Sequence, residues 1–305
     1  MPVQSADSLL VRSFRQRLTP VVILVRTSSM FRCLAKHGWP CALWLTLATV
    51  SRSADQPSIE DVSFTAKCDN SKQQYLLISP KQLDENEQHD LLILLHGHGS
   101  DRRQILDDSV KEFRAGRDTA AARGMLVVSP DYRGRTSWMG PHAEADLQQI
   151  IAELKLDCRI RKVVVAGASM GGSSALTFAA LHPELVDGVV AMNGTANHIE
   201  YENFQDAISK SFGGDKTQIP LEYKKRSAEY WPEQFTMPVA ITASGKDKTV
   251  PPASVLRLAN TIKKIQPDNV LLIYRETAGH ETSYEDSKTA FEFVLGNALH
   301  PASTR

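Results

Sequence analysis

A serine placed between glycines is the residue of this chain whose surroundings best suit it to chemistry. Ser169 stands in Gly167-Ala168-Ser169-Met170-Gly171, between the apolar run Lys162–Ala166 and a segment rich in alanine and other small residues. A strand that turns sharply into a helix presents such a hydroxyl at the end of the strand, and the glycines leave room for neighbouring backbone. The helix directs its N-terminal N–H groups towards the same point. We therefore predict that Ser169 is a nucleophile.

A serine hydroxyl attacks well only when a base removes its proton and a third group orients that base. Asp247 follows the apolar run Val239–Thr242, and His280 follows the run Val270–Tyr274. If these runs are parallel strands, both side chains emerge at the same sheet edge as Ser169, in the chain order nucleophile, acid, histidine. We predict His280 as the general base and Asp247 as the acid that orients it.

Other residues could supply the same chemistry. Glu276 and Glu281 lie close to His280 in sequence and could be the acid, and a second histidine could be the base. His182 precedes a proline at a predicted helix end, which is typical of a surface corner. His198 follows no strand end. These positions favour His280 as the base.

A second glycine-rich segment, His96-Gly97-His98-Gly99, follows the apolar run Leu91–Leu95. The carbonyl oxygen of a substrate becomes negative during acyl transfer, and backbone N–H groups must already point at it. We predict the N–H groups of His98 and Met170 as these oxyanion donors. The two histidines could also bind a metal, but no third ligand stands at a suitable spacing. The sequence therefore predicts no metal and no cofactor.

Apolar runs alternate with helix-length segments along residues 62–300, which predicts one α/β domain. Most runs are continuously apolar, as in strands that helices cover on both faces. We expect a mostly parallel sheet of about eight strands with helices on both faces. Segment 197–235 mixes aromatic and charged residues and is predicted as a short helical insertion beside the site. The predicted helices are Ser109–Arg123, His142–Leu154, Ser169–Leu181, Pro252–Ile265 and Tyr284–Leu299.

The motifs around Ser169, Asp247, His280 and His98 resemble the α/β-hydrolase superfamily, over about 230 residues that end at Leu299. The later segments Phe212-Gly213-Gly214, Arg226-Ser227-Ala228 and Met237-Pro238 resemble the catalytic domain of prolyl-oligopeptidase-type peptidases and related esterases. The resemblance implies an α/β-hydrolase fold and a serine hydrolase. The sequence has no counterpart of the large propeller domain of those peptidases, which favours a small secreted esterase. A peptidase or amidase, and a non-catalytic binding module, remain the alternatives.

The loop after the apolar run Met125–Ser129 is the predicted substrate pocket. Trp138 could form a flat apolar wall, and Arg135 could hold a carboxylate or a sugar hydroxyl. Both could equally be packing residues of the loop. The expected substrate is a small-molecule or glycan ester.

The first 54 residues differ in charge from the rest. They carry seven basic residues and one acidic residue, whereas the whole chain has a net charge of zero. The remainder is therefore mildly acidic, which argues against nucleic-acid binding. Residues 1–54 form the predicted leader and residues 55–61 a linker.

Residues 30–53 have the layout of a signal peptide, with a basic stretch, the apolar run Cys41–Val50 and small residues. This layout predicts a secreted or periplasmic protein, and residues 1–29 could then lie before the true start codon at Met30. The run is too short for a membrane-spanning helix, so we expect no span in the mature protein. An organellar transit peptide or a disordered tail are the alternatives.

Two cysteines, Cys68 and Cys158, lie after the predicted leader. An exported protein could join them in a disulfide, but that depends on their separation in the fold. The sequence leaves open whether they pair or remain thiols.

Overall fold

The computed structural model describes residues 57–80, 83 and 87–299. The predicted leader 1–54, its signal peptide 30–53 and the first two residues of the predicted linker lie outside the described residues. None of the described helices is long and apolar enough to cross a membrane.

One eight-stranded sheet lies at the centre of the described residues. The strands are β1 Ser58–Thr65, β2 Lys72–Ser79, β3 His89–Leu95, β4 Leu126–Pro130, β5 Ile160–Ala168, β6 Gly188–Met192, β7 Val239–Ser244 and β8 Val270–Arg275. Their order across the sheet is β1-β2-β4-β3-β5-β6-β7-β8. Strands β3 to β8 are parallel, whereas β1 and β2 are antiparallel to their neighbours. The carboxyl ends of β3 to β8 therefore meet along one edge.

Helices cover both faces of this sheet. Seven α-helices lie in the described part of the chain: α1 Lys111–Ala121, α2 Pro141–Asp157, α3 Met170–Leu181, α4 Gln205–Phe212, α5 Pro220–Lys225, α6 Ala253–Ile265 and α7 Tyr284–Leu299. α1 and α7 pack on each other and on alternate residues of β3, β5 and β6. α2, α3 and α6 contact the same sheet but do not join that core, so they cover the opposite face. The predicted fold class is confirmed.

The predicted linker at 55–61 is wrong for its second half, because residues 58–61 belong to β1. Ile59 and Asp61 pair with Ile78 and Leu76 of β2. The burial of β1 alternates along the strand, since it is an edge strand with one face towards solvent. Its sequence therefore has no continuous apolar run, so the pattern of apolar runs does not predict this strand.

Segment 197–235 contains two short helices, α4 and α5. Single 3-10 turns follow at Ala228–Tyr230 and Pro232–Gln234. Its residues Phe212 and Tyr223 are buried against each other, with ring centroids 5.0 Å apart. Aromatic packing of this kind holds the insertion on the domain.

A buried arginine connects the edge strand β1 to the loop after β4. Arg102 is 7% exposed. Its Nε and Nη2 atoms donate to the two carboxylate oxygens of Asp61 at 2.8 and 2.9 Å. Its Nη1 atom donates to Asp131 Oδ2 at 2.7 Å. Asp131 pairs with this guanidinium, whereas Asp61 Oδ2 also accepts from Arg103 Nη2 at 2.6 Å.

We predict that Arg102→Ala lowers the free energy of unfolding by about 3 kcal/mol, because it leaves the partly buried Asp131 carboxylate without its cation and removes one of the two cations that pair with Asp61. Urea unfolding followed by circular dichroism measures this change. Arg161→Ala is the matched control, since Arg161 makes a similar two-bond pair with Asp90 but is 46% exposed. Arg161→Ala should lower the free energy of unfolding by less than about 1 kcal/mol. Equal losses in the two variants would contradict the role of burial.

Candidate active site

The turn between β5 and α3 holds Ser169 in a conformation that few residues other than glycine adopt. Its φ is +58° and its ψ is −122°, which stores backbone strain that the surroundings must hold. The Ser169 N–H donates to the Met192 carbonyl at 2.8 Å. A Cβ atom at Gly171 would overlap the Leu95 carbonyl oxygen, and one at Gly167 would overlap Gly171. The sharp turn therefore requires both glycines.

Ser169, His280 and Asp247 form a continuous series of hydrogen bonds. His280 Nε2 lies 2.9 Å from Ser169 Oγ, and His280 Nδ1 lies 2.7 Å from Asp247 Oδ2. An ionised carboxylate only accepts hydrogen bonds, so Nδ1 carries the proton and Nε2 accepts from the serine hydroxyl. The three residues follow β5, β7 and β8, whose carboxyl ends lie along one edge. The structure thus brings together the three residues that the sequence selected.

The carboxylate of Asp247 lies in a pocket of hydrogen-bond donors. Its side chain is 1% exposed, and Oδ1 accepts the Thr249 and Val250 N–H groups at 2.9 and 2.8 Å. Burial alone would raise the pKa of Asp247, but the hydrogen bonds from His280, Val250 and Asn193 outweigh it and lower this pKa. Asp247 is therefore ionised at neutral pH.

The alternative acids and bases lie elsewhere. The Glu281 carboxylate is 64% exposed and 3.8 Å from Lys111, and Glu276 is also exposed. His182 Nε2 is 2.8 Å from Glu144 Oε1. His198 is completely buried, with Nε2 3.4 Å from the Thr177 hydroxyl. None of the four has a hydrogen bond to Ser169 within the described chain.

The N–H groups of His98 and Met170 make no hydrogen bond to any described residue. The neighbouring N–H groups are bonded, because Gly97 donates to Gln104 Oε1 at 2.8 Å and Gly99 donates to the Arg135 carbonyl at 2.7 Å. A Cβ atom at Gly97 would lie 3.7 Å from the Ala168 carbonyl oxygen, beside the serine turn. Two unpaired donors beside Ser169 are the arrangement that the predicted oxyanion site requires.

Trp138 does not form the flat apolar wall of a substrate pocket but packs in the loop, because it is completely buried. Its indole Nε1 donates to His98 Nδ1 at 3.1 Å. This bond requires an unprotonated Nδ1, and burial also lowers the pKa of His98. His98 is therefore neutral, with its proton on Nε2. Trp138 orients the side chain of the residue whose backbone is the predicted oxyanion donor.

Arg135 is exposed, and it also contacts the loop that contains His98. Its Nε atom donates to the Gly99 carbonyl at 2.6 Å, while the Gly99 N–H donates to the Arg135 carbonyl. The two loops are thus joined by a pair of reciprocal bonds. The predicted contact of Arg135 with substrate stays a prediction.

Two residues to which the sequence analysis assigned no role, Phe204 and Arg226, lie beside this loop. The Phe204 ring lies 4.3 Å from the His98 ring, centroid to centroid, and this residue is 37% exposed. Its φ of +55° is unusual for a bulky side chain. Arg226 is 1% exposed and donates to the Met139 carbonyl at 2.7 Å, which ties the insertion to the loop that contains Trp138.

Cys68 and Cys158 are both free thiols in the structure, so the disulfide left open by the sequence does not form. Cys68, Asp69 and His142 have ligand atoms within 4.8 Å of one another. However, the Arg133 guanidinium donates to Cys68 Sγ at 2.9 Å and to Asp69 Oδ2 at 2.6 Å. A metal cation at this point would have to displace a cation that is already bound.

Comparisons with known proteins agree with the fold. The model of the alpha/beta hydrolase fold family matches residues 90–227. The acylaminoacyl peptidase of Pyrococcus horikoshii has a TM-score of 0.61 and 15% identity, with 80% of this chain and 42% of that chain covered. FphF, a fluorophosphonate-binding serine hydrolase of Staphylococcus aureus, has a TM-score of 0.60 and 14% identity, with 80% of this chain and 99% of that chain covered. A ferulic acid esterase has a TM-score of 0.57 and 15% identity, with 80% of this chain and 98% of that chain covered.

These matches show that the chain has the α/β-hydrolase fold, which it shares with peptidase and esterase structures. It spans less than half the length of several peptidase chains that share the fold. No curated protein sequence matches it.

We predict that His198 makes the protein sensitive to acid. Burial, with the charge of Arg226, lowers the pKa of His198 from 6.5 to about 3. Between pH 6.5 and about pH 3, His198 therefore binds a proton in the unfolded chain but not in the folded chain. This contribution to stability is complete above pH 6.5 and is lost as the pH falls towards 3, by about 1.4 kcal/mol per pH unit.

His198→Phe should remove this part of the acid sensitivity. Urea unfolding of both proteins from pH 4.5 to 7.5 measures it. The difference in unfolding free energy between the wild-type protein and His198→Phe should be constant above pH 6.5. Below pH 6.5 the variant should become more stable relative to the wild type. Parallel curves over the whole range would contradict the prediction.

Proposed function

We propose that this protein is a serine hydrolase that cleaves carboxylic esters through an acyl-enzyme intermediate. The observation that carries the proposal is the hydrogen-bond series from Ser169 Oγ through His280 to Asp247 Oδ2. Export of the hydrolase, which the layout of residues 30–53 predicts, is part of the same proposal.

In the first half-reaction His280 Nε2 takes the Ser169 proton as Oγ attacks the ester carbonyl carbon. The carbonyl oxygen becomes an oxyanion, and the imidazolium is stabilised by the ionised Asp247. His280 then gives the proton to the departing alcohol oxygen as the carbon–oxygen bond breaks. The acid portion of the ester remains bonded to Ser169 Oγ.

In the second half-reaction water attacks the acyl-enzyme. His280 takes a proton from the water and returns it to Ser169 Oγ as the carboxylic acid leaves. The unbonded N–H groups of His98 and Met170 are the proposed oxyanion donors in both half-reactions. Their partial positive charges stabilise the developing negative charge without reorganisation, because the loop and the helix already fix them.

Two observations favour an ester substrate over a peptide. The chain covers 98% of the ferulic acid esterase and 99% of the staphylococcal hydrolase, but 42% of the acylaminoacyl peptidase. Ser169 is also only half-buried and His280 is exposed, which suits a small-molecule ester or an ester group on a glycan.

We predict that a fluorophosphonate probe labels Ser169 alone and that Ser169→Ala loses both labelling and hydrolysis of p-nitrophenyl acetate. The fall in kcat should exceed about a thousandfold, because removal of any member of such a unit removes most of its effect. Peptide mass mapping locates the adduct, and circular dichroism checks that the variant is folded.

Matched substrates then separate ester from amide chemistry. The proposal expects a much higher kcat/KM for alanine p-nitrophenyl ester than for alanine p-nitroanilide, after correction for the uncatalysed rates. Preferential turnover of the anilide would make the protein a peptidase or amidase. Folded protein that neither reacts with the probe nor cleaves any ester would be a binding module, and the proposal would be wrong.

We further predict that Trp138→Phe lowers kcat/KM for p-nitrophenyl acetate by about tenfold, because the loop that carries an oxyanion donor loses its hydrogen bond at His98. Trp231→Phe is the matched control. The Trp231 indole also donates a hydrogen bond, at 3.1 Å to the Lys225 carbonyl, but in the insertion. Both variants are assayed well below their melting temperatures, and equal effects would sink the assignment.

A further inference from the structure

Asn193, the residue that follows β6, lies next to the serine turn. The carbonyl of the preceding residue, Met192, accepts the Ser169 N–H. Asn193 is 5% exposed and has a φ of +45°. Asparagine is one of the few residues other than glycine that adopt this left-handed conformation readily. The conformation turns its side chain away from the path of the strand.

The amide nitrogen of Asn193 reaches the acid. Nδ2 lies 2.9 Å from Ser244 Oγ and 3.4 Å from Asp247 Oδ2. Oδ2 is the oxygen that also faces His280. Because an ionised carboxylate only accepts hydrogen bonds, the NH₂ end of Asn193 must face Asp247. The orientation of the amide is thereby fixed.

The amide oxygen of Asn193 reaches the loop that carries the histidine. The Thr282 hydroxyl donates to Asn193 Oδ1, and the Thr242 hydroxyl lies 3.3 Å from the same oxygen. Thr282 is only two residues after His280 and is 5% exposed. Ser244, which accepts from Asn193, donates to the Glu281 carbonyl at 3.1 Å. One side chain therefore connects the acid loop and the histidine loop.

We infer that Asn193 is a positioning residue that holds Asp247 and the His280 loop in register with the serine turn. The inference rests on the proposed function and adds a fourth side chain to its machinery. Asn193 touches no reacting atom. Its Nδ2–H group directs a partial positive charge at Asp247 Oδ2, the carboxylate oxygen that orients His280. Its side chain also fixes the distance between the Asp247 loop and the His280 loop, which follow different strands.

Other charged groups also surround this pair. Glu112 of α1 accepts the Thr282 N–H at 3.0 Å, and Glu281 lies 3.8 Å from Lys111. The Tyr201 hydroxyl, which donates to the Thr249 carbonyl, is near enough for Asp247 to help raise the pKa of Tyr201. All of these groups remain unchanged when residue 193 alone is replaced, so a change in pH response reports residue 193.

The deciding variant is Asn193→Asp, which has the same shape but places a second carboxylate against Asp247. Like charges this close resist joint ionisation, so one carboxyl group loses its proton only at a raised pKa, and the additional charge then favours the imidazolium form of His280 more than Asp247 alone does. The acid limb of kcat/KM should therefore move to higher pH by about one unit. The ring-proton NMR resonance of His280, assigned by its loss in His280→Gln, should move its titration midpoint in the same direction. This second readout needs no substrate.

Asn197→Asp is the matched control. Asn197 is also buried, and its Nδ2 donates to the Glu229 carboxylate at 2.9 Å. This substitution therefore also places a second carboxylate beside an existing one, but it does so in the insertion. It should leave the acid limb and the His280 resonance unchanged. Equal shifts in both variants, or none in Asn193→Asp, would overturn the inference.

Asn193→Gly tests the positioning itself, because glycine accepts the positive φ and removes only the side chain. We expect a fall in kcat of about tenfold with little change in KM, since misplacement of the base affects the chemical step. The rate is expressed per serine that fluorophosphonate titrates, which corrects for unfolded protein. An unchanged kcat would contradict the inference, whereas an inert wild-type protein would instead contradict the proposed function.

Discussion

The close approach of three strand ends around Ser169 is the constraint on which the site depends. The Ser169 N–H bonds to the end of β6, while Gly171 lies so close to the Leu95 carbonyl, at the end of β3, that no side chain fits between them. The left-handed backbone of Ser169 is unfavourable by itself. It persists because the parallel sheet fixes β3, β5 and β6 side by side and the turn has no other way to pack. The rigid sheet edge therefore holds the Ser169 hydroxyl in one place, as the proposed function requires.

Around this fixed turn, the loops are held by polar contacts with one another. The acid and histidine loops meet through Asn193 and its hydroxyl partners. The loop of His98 is held on its other side by the Trp138 indole and by the reciprocal bonds of Arg135 and Gly99. Loops are otherwise the most mobile parts of a domain. The geometry of the site therefore depends on buried hydrogen bonds between loops as much as on the sheet.

Burial and hydrogen-bond partners together decide the charge of the titratable groups in this region. Asp247 stays ionised although it is buried, because several N–H groups point at its oxygens. His198 and His98 stay neutral, since burial disfavours their charged forms and no carboxylate among the described residues compensates. His280 differs from both because it combines an ionised carboxylate on one nitrogen with an accessible serine on the other. The same residue type therefore has three different environments.

The sequence by itself determined the α/β fold and the three members of the hydrogen-bond series, because buried parallel strands and a strand–turn–helix serine leave local patterns of apolar residues and glycines. The strand end that precedes Asn193 could have drawn attention to it as well. Only the tertiary structure decided that Trp138 is buried and that residues 58–61 form an edge strand. It also decided that Asn193 joins two distant loops. These features depend on contacts between segments far apart in the chain, and no local pattern encodes which side chain fills the space between them.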